Sequence, residues 1–136
     1  MDICPEALLL AASNASQFEG VELDFLHADV AALPRMLWAD TVIMNPPFGT
    51  RIRGADMAFL RAAARIASAA IYSLHKSTTR EHVAATAKTL GLKATVIAEL
   101  RFDIPAAYAF HKEKNKDVAV DLWRFTHARA SSGVGT

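Results

Sequence analysis

Apolar positions along this chain follow two periods. From Cys4 to Phe18, the residues Ala7, Leu8, Ala11, Ala12, Ala15 and Phe18 recur at helical spacing. Pro5 suits the first turn of that helix, where a missing N–H costs nothing. Val21 to Val30 contains a strand: Leu23, Phe25 and the residues up to Ala28 carry the pattern, and Asp29 ends it. Pro34 and a polar break around Asp40 lead to Thr41-Val42-Ile43-Met44, the short β-branched run of a buried parallel strand. It stops at Asn45-Pro46-Pro47-Phe48-Gly49. Asp56 is placed to N-cap a helix carrying Met57, Leu60, Ala64 and Ala67, and Ala69 to Leu74 reads as a further strand. Thr78 and Glu81 have capping-box spacing. They open a helix with Val83, Ala87 and Leu90 on one stripe, closed by Gly91. Ala94 to Phe102 and Val118 to Phe125 are the last strands.

Alternation of this kind predicts an α/β sheet with helices on both faces. No clear helix separates the last two strands, so they are expected to pair antiparallel. Ligands of such sheets lie at the carboxyl ends of the strands, and Asn45 to Gly49 falls at one. A length of 136 residues favours one domain, taken as 1–127, with small and polar residues 128–136 as a disordered tail. The chain is 52% hydrophobic and 21% charged, as in a soluble globular protein. No run reaches the length of a membrane span, and no signal peptide is visible. The single cysteine, Cys4, excludes an internal disulfide and has no Cys or His at metal-ligand spacing, so no metal site is expected.

A net charge of +1 neither supports nor excludes a nucleic-acid partner. The local pattern is uneven. His111, Lys112, Lys114 and Lys116 crowd one loop, and Arg51 and Arg53 flank another. Together with His75 and Lys76 these are candidate RNA contacts; two solvated surface loops and second-shell histidines are the plainer alternative.

The Asn45 motif suits methyl transfer to an amine conjugated with a ring. Such a nitrogen is a poor nucleophile because its lone pair is delocalised. Acceptors on its N–H bonds pull it towards a tetrahedral shape and free the lone pair. The Asn45 side-chain oxygen and the Pro46 carbonyl supply two acceptors without charge. Pro46 holds Asn45 extended and removes a competing N–H. Pro47 fixes the direction of the Pro46 carbonyl, Phe48 offers a flat face to a flipped base, and Gly49 lets the chain turn away. The motif alone does not separate adenine N6 from cytosine N4, guanine N2 or a protein glutamine.

Asn45-Pro-Pro-Phe resembles the fourth motif of amino-group methyltransferases. With Asp56-Met-Ala-Phe-Leu60, Tyr72-Ser-Leu-His-Lys-Ser77, Thr79-Arg-Glu-His82, Ile97-Ala-Glu-Leu-Arg101 and Val120-Asp121-Leu122, the chain resembles the methyltransferase-like protein 5 family nearly up to Phe125. The resemblance implies a Rossmann-like class I methyltransferase sheet and S-adenosylmethionine as cofactor. It implies adenine N6 of small-subunit (18S) ribosomal RNA as substrate and an intracellular place, nucleus or cytoplasm. It assigns Asp2 to the cofactor ribose and Asp29 to the adenine amine, with Ile3, Ala28 and Val30 packed on the ring and Asn45 at the methyl. It also implies a small zinc-binding activating subunit on the edge strand near Phe25. Family members begin with a first, central strand ending in an Asp-x-Gly-x-Gly type loop. Here Gly20 is the first glycine, so the expectation is a truncated form lacking that strand. A related amine methyltransferase, or a catalytically dead fragment that only binds a partner or RNA, are the other readings.

Overall fold

The structure, a computed structural model, describes residues 1–47, 54–104 and 116–128, which fall into two units: Met1 to Leu37, and the remainder from Trp38. Among the described residues no helix is long and apolar enough to cross a membrane.

In the first unit α1 spans Pro5–Ala15, with Pro5 in its first turn. The Asp2 carboxylate accepts from the Cys4 N–H at 2.8 Å and so braces the entry to the helix. The apolar spacing predicts continuation to Phe18, but α1 stops earlier. Ser13, Asn14 and Ser16 are poor helix interior residues because their side chains compete for backbone partners. The Ser16 hydroxyl does so, donating to the Ser13 carbonyl at 2.7 Å. The Gln17 and Phe18 N–H groups reach back three residues instead of four, and Phe18 is left exposed. The strand expected within Val21 to Val30 contracts to one parallel bridge, Asp2 with His27. Asp2 offers a single pairing position before Cys4 and Pro5 turn into the helix, so no ladder develops.

The second unit is a mixed α/β unit built on a four-stranded sheet. Its strands are β1 (Ala39–Met44), β2 (Ala67–Lys76), β3 (Leu92–Ile104) and β4 (Lys116–His127), in spatial order β1-β2-β4-β3. β1 and β2 run parallel, joined through α2 (Ala55–Ile66). β4 enters antiparallel between β2 and β3, which bears out the antiparallel pairing expected of the last two strands. α3 (Arg80–Thr89) links β2 to β3, and Gly91 at φ +68° ends it in the left-handed region.

Both helices of this unit bury into one cluster. Met57, Leu60 and Ala63 from α2 and Val83 and Ala87 from α3 pack with Ile71, Leu92, Trp123 and Phe125 of the sheet. Leu60 and Val83 are completely buried, each contributing about 1.5–3 kcal/mol relative to exposure. Trp123 stacks on Phe125 with ring centres 5.5 Å apart.

Two expected caps are absent. Gly54 at φ +80°, not Asp56, precedes α2, and Asp56 lies in its first turn. Thr78 and Glu81 form no capping box, because the chain makes a 3-10 turn over Ser77–Thr79 before α3. The Thr79 hydroxyl donates to the Lys76 carbonyl at 2.9 Å, so it serves the turn. The strands also run longer than their apolar runs: Lys116, expected in a loop, begins β4 opposite Ile104. Ala128, expected in the tail, donates its N–H to the Gly91 carbonyl at 2.9 Å.

Candidate functional site

Asn45, Pro46 and Pro47 leave β1 at its carboxyl end. Pro46 is completely buried while Asn45 and Pro47 are exposed. The buried ring anchors the motif and leaves the Asn45 amide open to a ligand. Met44 pairs with Ser73 in parallel register, so Asn45-Pro46-Pro47 emerge alongside Leu74-His75-Lys76 of β2. Phe48, Arg51 and Arg53 lie outside the described residues, as do His111, Lys112 and Lys114.

Beside this strand end lies a buried polar group whose members the sequence reading did not assemble. Asp121 on β4 is fully buried and stands directly opposite His75 in the ladder. The Arg80 guanidinium donates to both its oxygens at 2.7 Å, a bidentate pair, and the Ser77 hydroxyl donates at 2.7 Å. Arg80 also reaches Glu99 on β3 at 3.1 Å. The Arg80 hydrogen bonds hold the Asp121 carboxyl below the ordinary carboxylate range, against the opposing effect of burial, and Ser77 adds to the lowering. The same pair raises Arg80 further above its usual value. Two sequence signals mark Asp121: it lies in the Val120-Asp121-Leu122 motif of the resemblance, and it is a carboxylate in the apolar run from Val118 to Phe125, which needs a partner if buried.

His75, a candidate RNA contact whose plainer alternative is a surface or supporting histidine, is 1% exposed, so it is neither a surface histidine nor open to an RNA phosphate in this structure. Its ring meets Phe125 edge-on at 6.3 Å. Nε2 lies 2.9 Å from the Ser73 hydroxyl, and Nδ1 lies 3.6 Å from an Asp56 carboxylate oxygen, slightly too far for a hydrogen bond. With a carboxylate facing Nδ1, the proton belongs there, and Nε2 accepts from Ser73. Burial pushes the imidazole pKa down, and the nearby Asp56 and Asp121 charges only partly oppose this. His75 is therefore neutral near pH 7. Lys76 is half-buried at the end of β2.

The first unit brings the other candidates together along its bridge. The Asp2 N–H donates to the Leu26 carbonyl at 3.2 Å, and the Ala28 N–H to the Asp2 carbonyl at 3.1 Å. His27 Nε2 donates to the Ile3 carbonyl at 3.0 Å. Asp29 accepts from the Ala31 N–H at 2.8 Å and caps the 3-10 turn Val30–Ala32. Asp2, Ile3, Ala28, Asp29 and Val30 thus lie on two adjoining segments, and both carboxylates are exposed. Each uses Oδ1 to fix its own backbone turn, so its direction is set locally. Exposed, fixed carboxylates fit the hydroxyl and amine donors of a nucleoside. Among the described residues no group of side chains could hold a metal ion.

No family model matches the chain. It is 46% identical over 128 residues, 92% of its length, to the rRNA N(6)-adenosine-methyltransferase METTL5 of Danio rerio. It is 47% identical over 116 residues, 82% of its length, to the rRNA N(6)-adenosine-methyltransferase Mettl5 of Drosophila melanogaster. The chain spans 62% and 54% of these two curated relatives. Among solved structures it is similar to a candidate RNA methyltransferase of Pyrococcus horikoshii, with a TM-score of 0.76 at 30% identity, covering 93% of this chain and 61% of that one. The resemblance read from the motifs is therefore met in sequence over most of this chain and in fold.

Proposed function

We propose that this chain is the greater part of a methyltransferase that moves a methyl group from S-adenosylmethionine to adenine N6 in small-subunit ribosomal RNA. The observation that carries the reading is the exposed Asn45 amide on a buried Pro46, at the carboxyl end of a parallel strand. The share of the relatives' length outside this chain is where we place the first strand and its glycine loop.

In this reading the Asn45 oxygen and the Pro46 carbonyl accept the two N–H bonds of the target amine. Both acceptors are set before substrate arrives, so little reorganisation is needed when the nitrogen turns tetrahedral. Asp2 accepts from the ribose hydroxyls of the cofactor and Asp29 from its adenine amine, while Ile3, Ala28 and Val30 flank the ring. The cofactor supplies an electrophilic methyl on a sulfonium. Phe48 stacks on the flipped base, and Arg51, Arg53, Lys76, His111, Lys112, Lys114 and Lys116 contact RNA. Exposed Phe25 and Leu26 support the reading that a small zinc-binding activating subunit pairs with that segment, since an uncovered apolar edge invites strand addition. The enzyme works inside the cell.

The test uses the chain extended with the N-terminal portion of the Danio rerio relative, hereafter the extended protein, produced with its activating subunit. It should methylate small-subunit RNA, and Asn45→Ala should lower the rate about a hundredfold or more with its melting temperature kept. Transfer by Asn45→Ala within a few-fold of the parent would refute the assignment. A methyl found on cytosine or guanine would move the proposal to another amine acceptor.

A further inference from the structure

Asp56 on α2 and His75 on β2 face each other at 3.6 Å across the two elements that follow the motif in the chain. β1 ends at Met44, the motif follows, and the fold resumes at Gly54, the residue before α2. Asp56 sits in the first turn of α2, and its carboxylate faces Nδ1 of a histidine on the strand alongside the motif. The same imidazole is held from behind by the Ser73 hydroxyl at 2.9 Å. The His75 ring meets Phe125 edge-on, and His75 stands opposite Asp121 in the ladder. Asp121 in turn spends its hydrogen bonds on Ser77 and Arg80, the turn after β2 and the start of α3. Buried polar groups add little net stability compared with apolar ones of the same shape.

We propose that His75 is a positioning residue: hydrogen-bonded to Ser73 on β2 and facing the Asp56 carboxylate on α2 at 3.6 Å, it sets where the segment that leaves at Asn45-Pro46-Pro47 returns to the fold. This rests on the methyltransferase reading above. His75 does not touch substrate or cofactor; it acts through Asp56 and the start of α2. Misplacing a reacting group by about 1 Å through a distant change costs up to about a hundredfold, so a modest shift at Gly54 is enough to lower turnover.

The experiment compares His75→Asn, His75→Gln and Asp56→Ala in the extended protein. Asparagine puts an amide N–H near the place of Nδ1–H and keeps the contact with Asp56; glutamine reaches the Nε2 position and loses it. Expected are a kcat lowered about tenfold in His75→Gln and Asp56→Ala, with KM for RNA and cofactor within about threefold, and a kcat near the parent's in His75→Asn. Amide exchange gives a second readout at Ala58, whose N–H donates to the Gly54 carbonyl at 3.1 Å. It should quicken in His75→Gln and stay protected in His75→Asn. Equal kcat in the Asn and Gln variants, or a kcat that merely follows melting temperature, would overturn the proposal. If the parent transfers no methyl, the methyltransferase reading fails by itself. The placement role then stands on differential exchange at Ala58 and falls if exchange is the same in both variants.

Discussion

Acidification should reveal His75 as a buried neutral base. Its folded-state pKa lies below the ordinary value, first because burial disfavours the imidazolium. Protonation would also reverse the bond with Ser73, since Nε2 would become a donor and the hydroxyl an acceptor. In the unfolded chain the ring titrates near the ordinary ~6.5. Below that pH the unfolded state takes up a proton that the native state resists, so stability falls as pH falls, down to the folded pKa. A ring that stays neutral from pH 7.5 to 5.5 contributes a loss of about 1.4 kcal/mol over that interval; the Asp56 charge at 3.6 Å makes this an upper figure. Asp121 does not confuse the measurement. Its carboxyl is depressed by Arg80, so its contribution is complete above the unfolded value of ~3.9 and is lost only below it. The assay is urea unfolding of the extended protein and of its His75→Asn variant at pH 7.5, 6.5 and 5.5. The parent should lose more stability than the variant by up to about 1.4 kcal/mol. Equal losses would refute the buried neutral imidazole.

Three further outcomes follow from other parts of the molecule. Leu60→Ala should cost about 2–5 kcal/mol in the same unfolding assay, because Leu60 is completely buried; a loss below about 1 kcal/mol would mean that the cluster closes over the cavity. Asp29→Ala should weaken cofactor binding by the extended protein about tenfold or more, the value of a hydrogen bond to a charged group, and unchanged affinity in calorimetry would return Asp29 to capping its 3-10 turn. Charge reversal at Lys112, Lys114 and Lys116 should lower RNA affinity and flatten its dependence on salt, whereas an unchanged salt slope would make that loop a solvated surface.

Helices and strands were legible where one period dominated. Thr41 to Met44 and Ala69 to Leu74 are β-branched or apolar runs too short for a helix, and both lie in strands. The strand ends were not legible: the apolar run stops at Leu74 and Lys116 reads as a loop residue, while the backbones of His75, Lys76 and Lys116 pair in ladders. The caps failed for a different reason. Gly54 in the left-handed region takes the position before α2 expected of Asp56, and the 3-10 turn over Ser77–Thr79 takes up Thr78 before α3 begins. Apolar content alone also misled in the first unit: Leu23 and Phe25 look like strand residues, yet with Asp2 as the one pairing position they remain exposed. Of the candidate site, the Asn45 motif was visible because its chemistry is contiguous. The Asp56, His75, Asp121 and Arg80 group was invisible because its members come from four elements, and only the sheet register puts His75 opposite Asp121.

That register also divides the labour along the sheet. On the face covered by α2 and α3, β2 presents Ile71, then Ser73, then His75; their partners on β4 are Phe125, Trp123 and Asp121. The buried surface therefore runs from apolar to polar towards the strand end where Asn45 emerges. The apolar end makes contacts that tolerate small displacements, since each is individually small and non-directional and a methyl can repack. The polar end does not: a hydrogen bond at 2.7 Å to Asp121 fails within about an ångström or with a poor angle, and a buried group left unpaired is costly. Stability is thus concentrated away from the motif and geometric definition beside it. Replacing Asp121 and Arg80 together by apolar residues of similar volume should accordingly leave the fold standing, since a buried ion pair is a weak source of stability, whereas removing Arg80 alone leaves the Asp121 charge unpaired and should destabilise strongly; the joint replacement should still loosen the placement of the chain ends that flank Asn45.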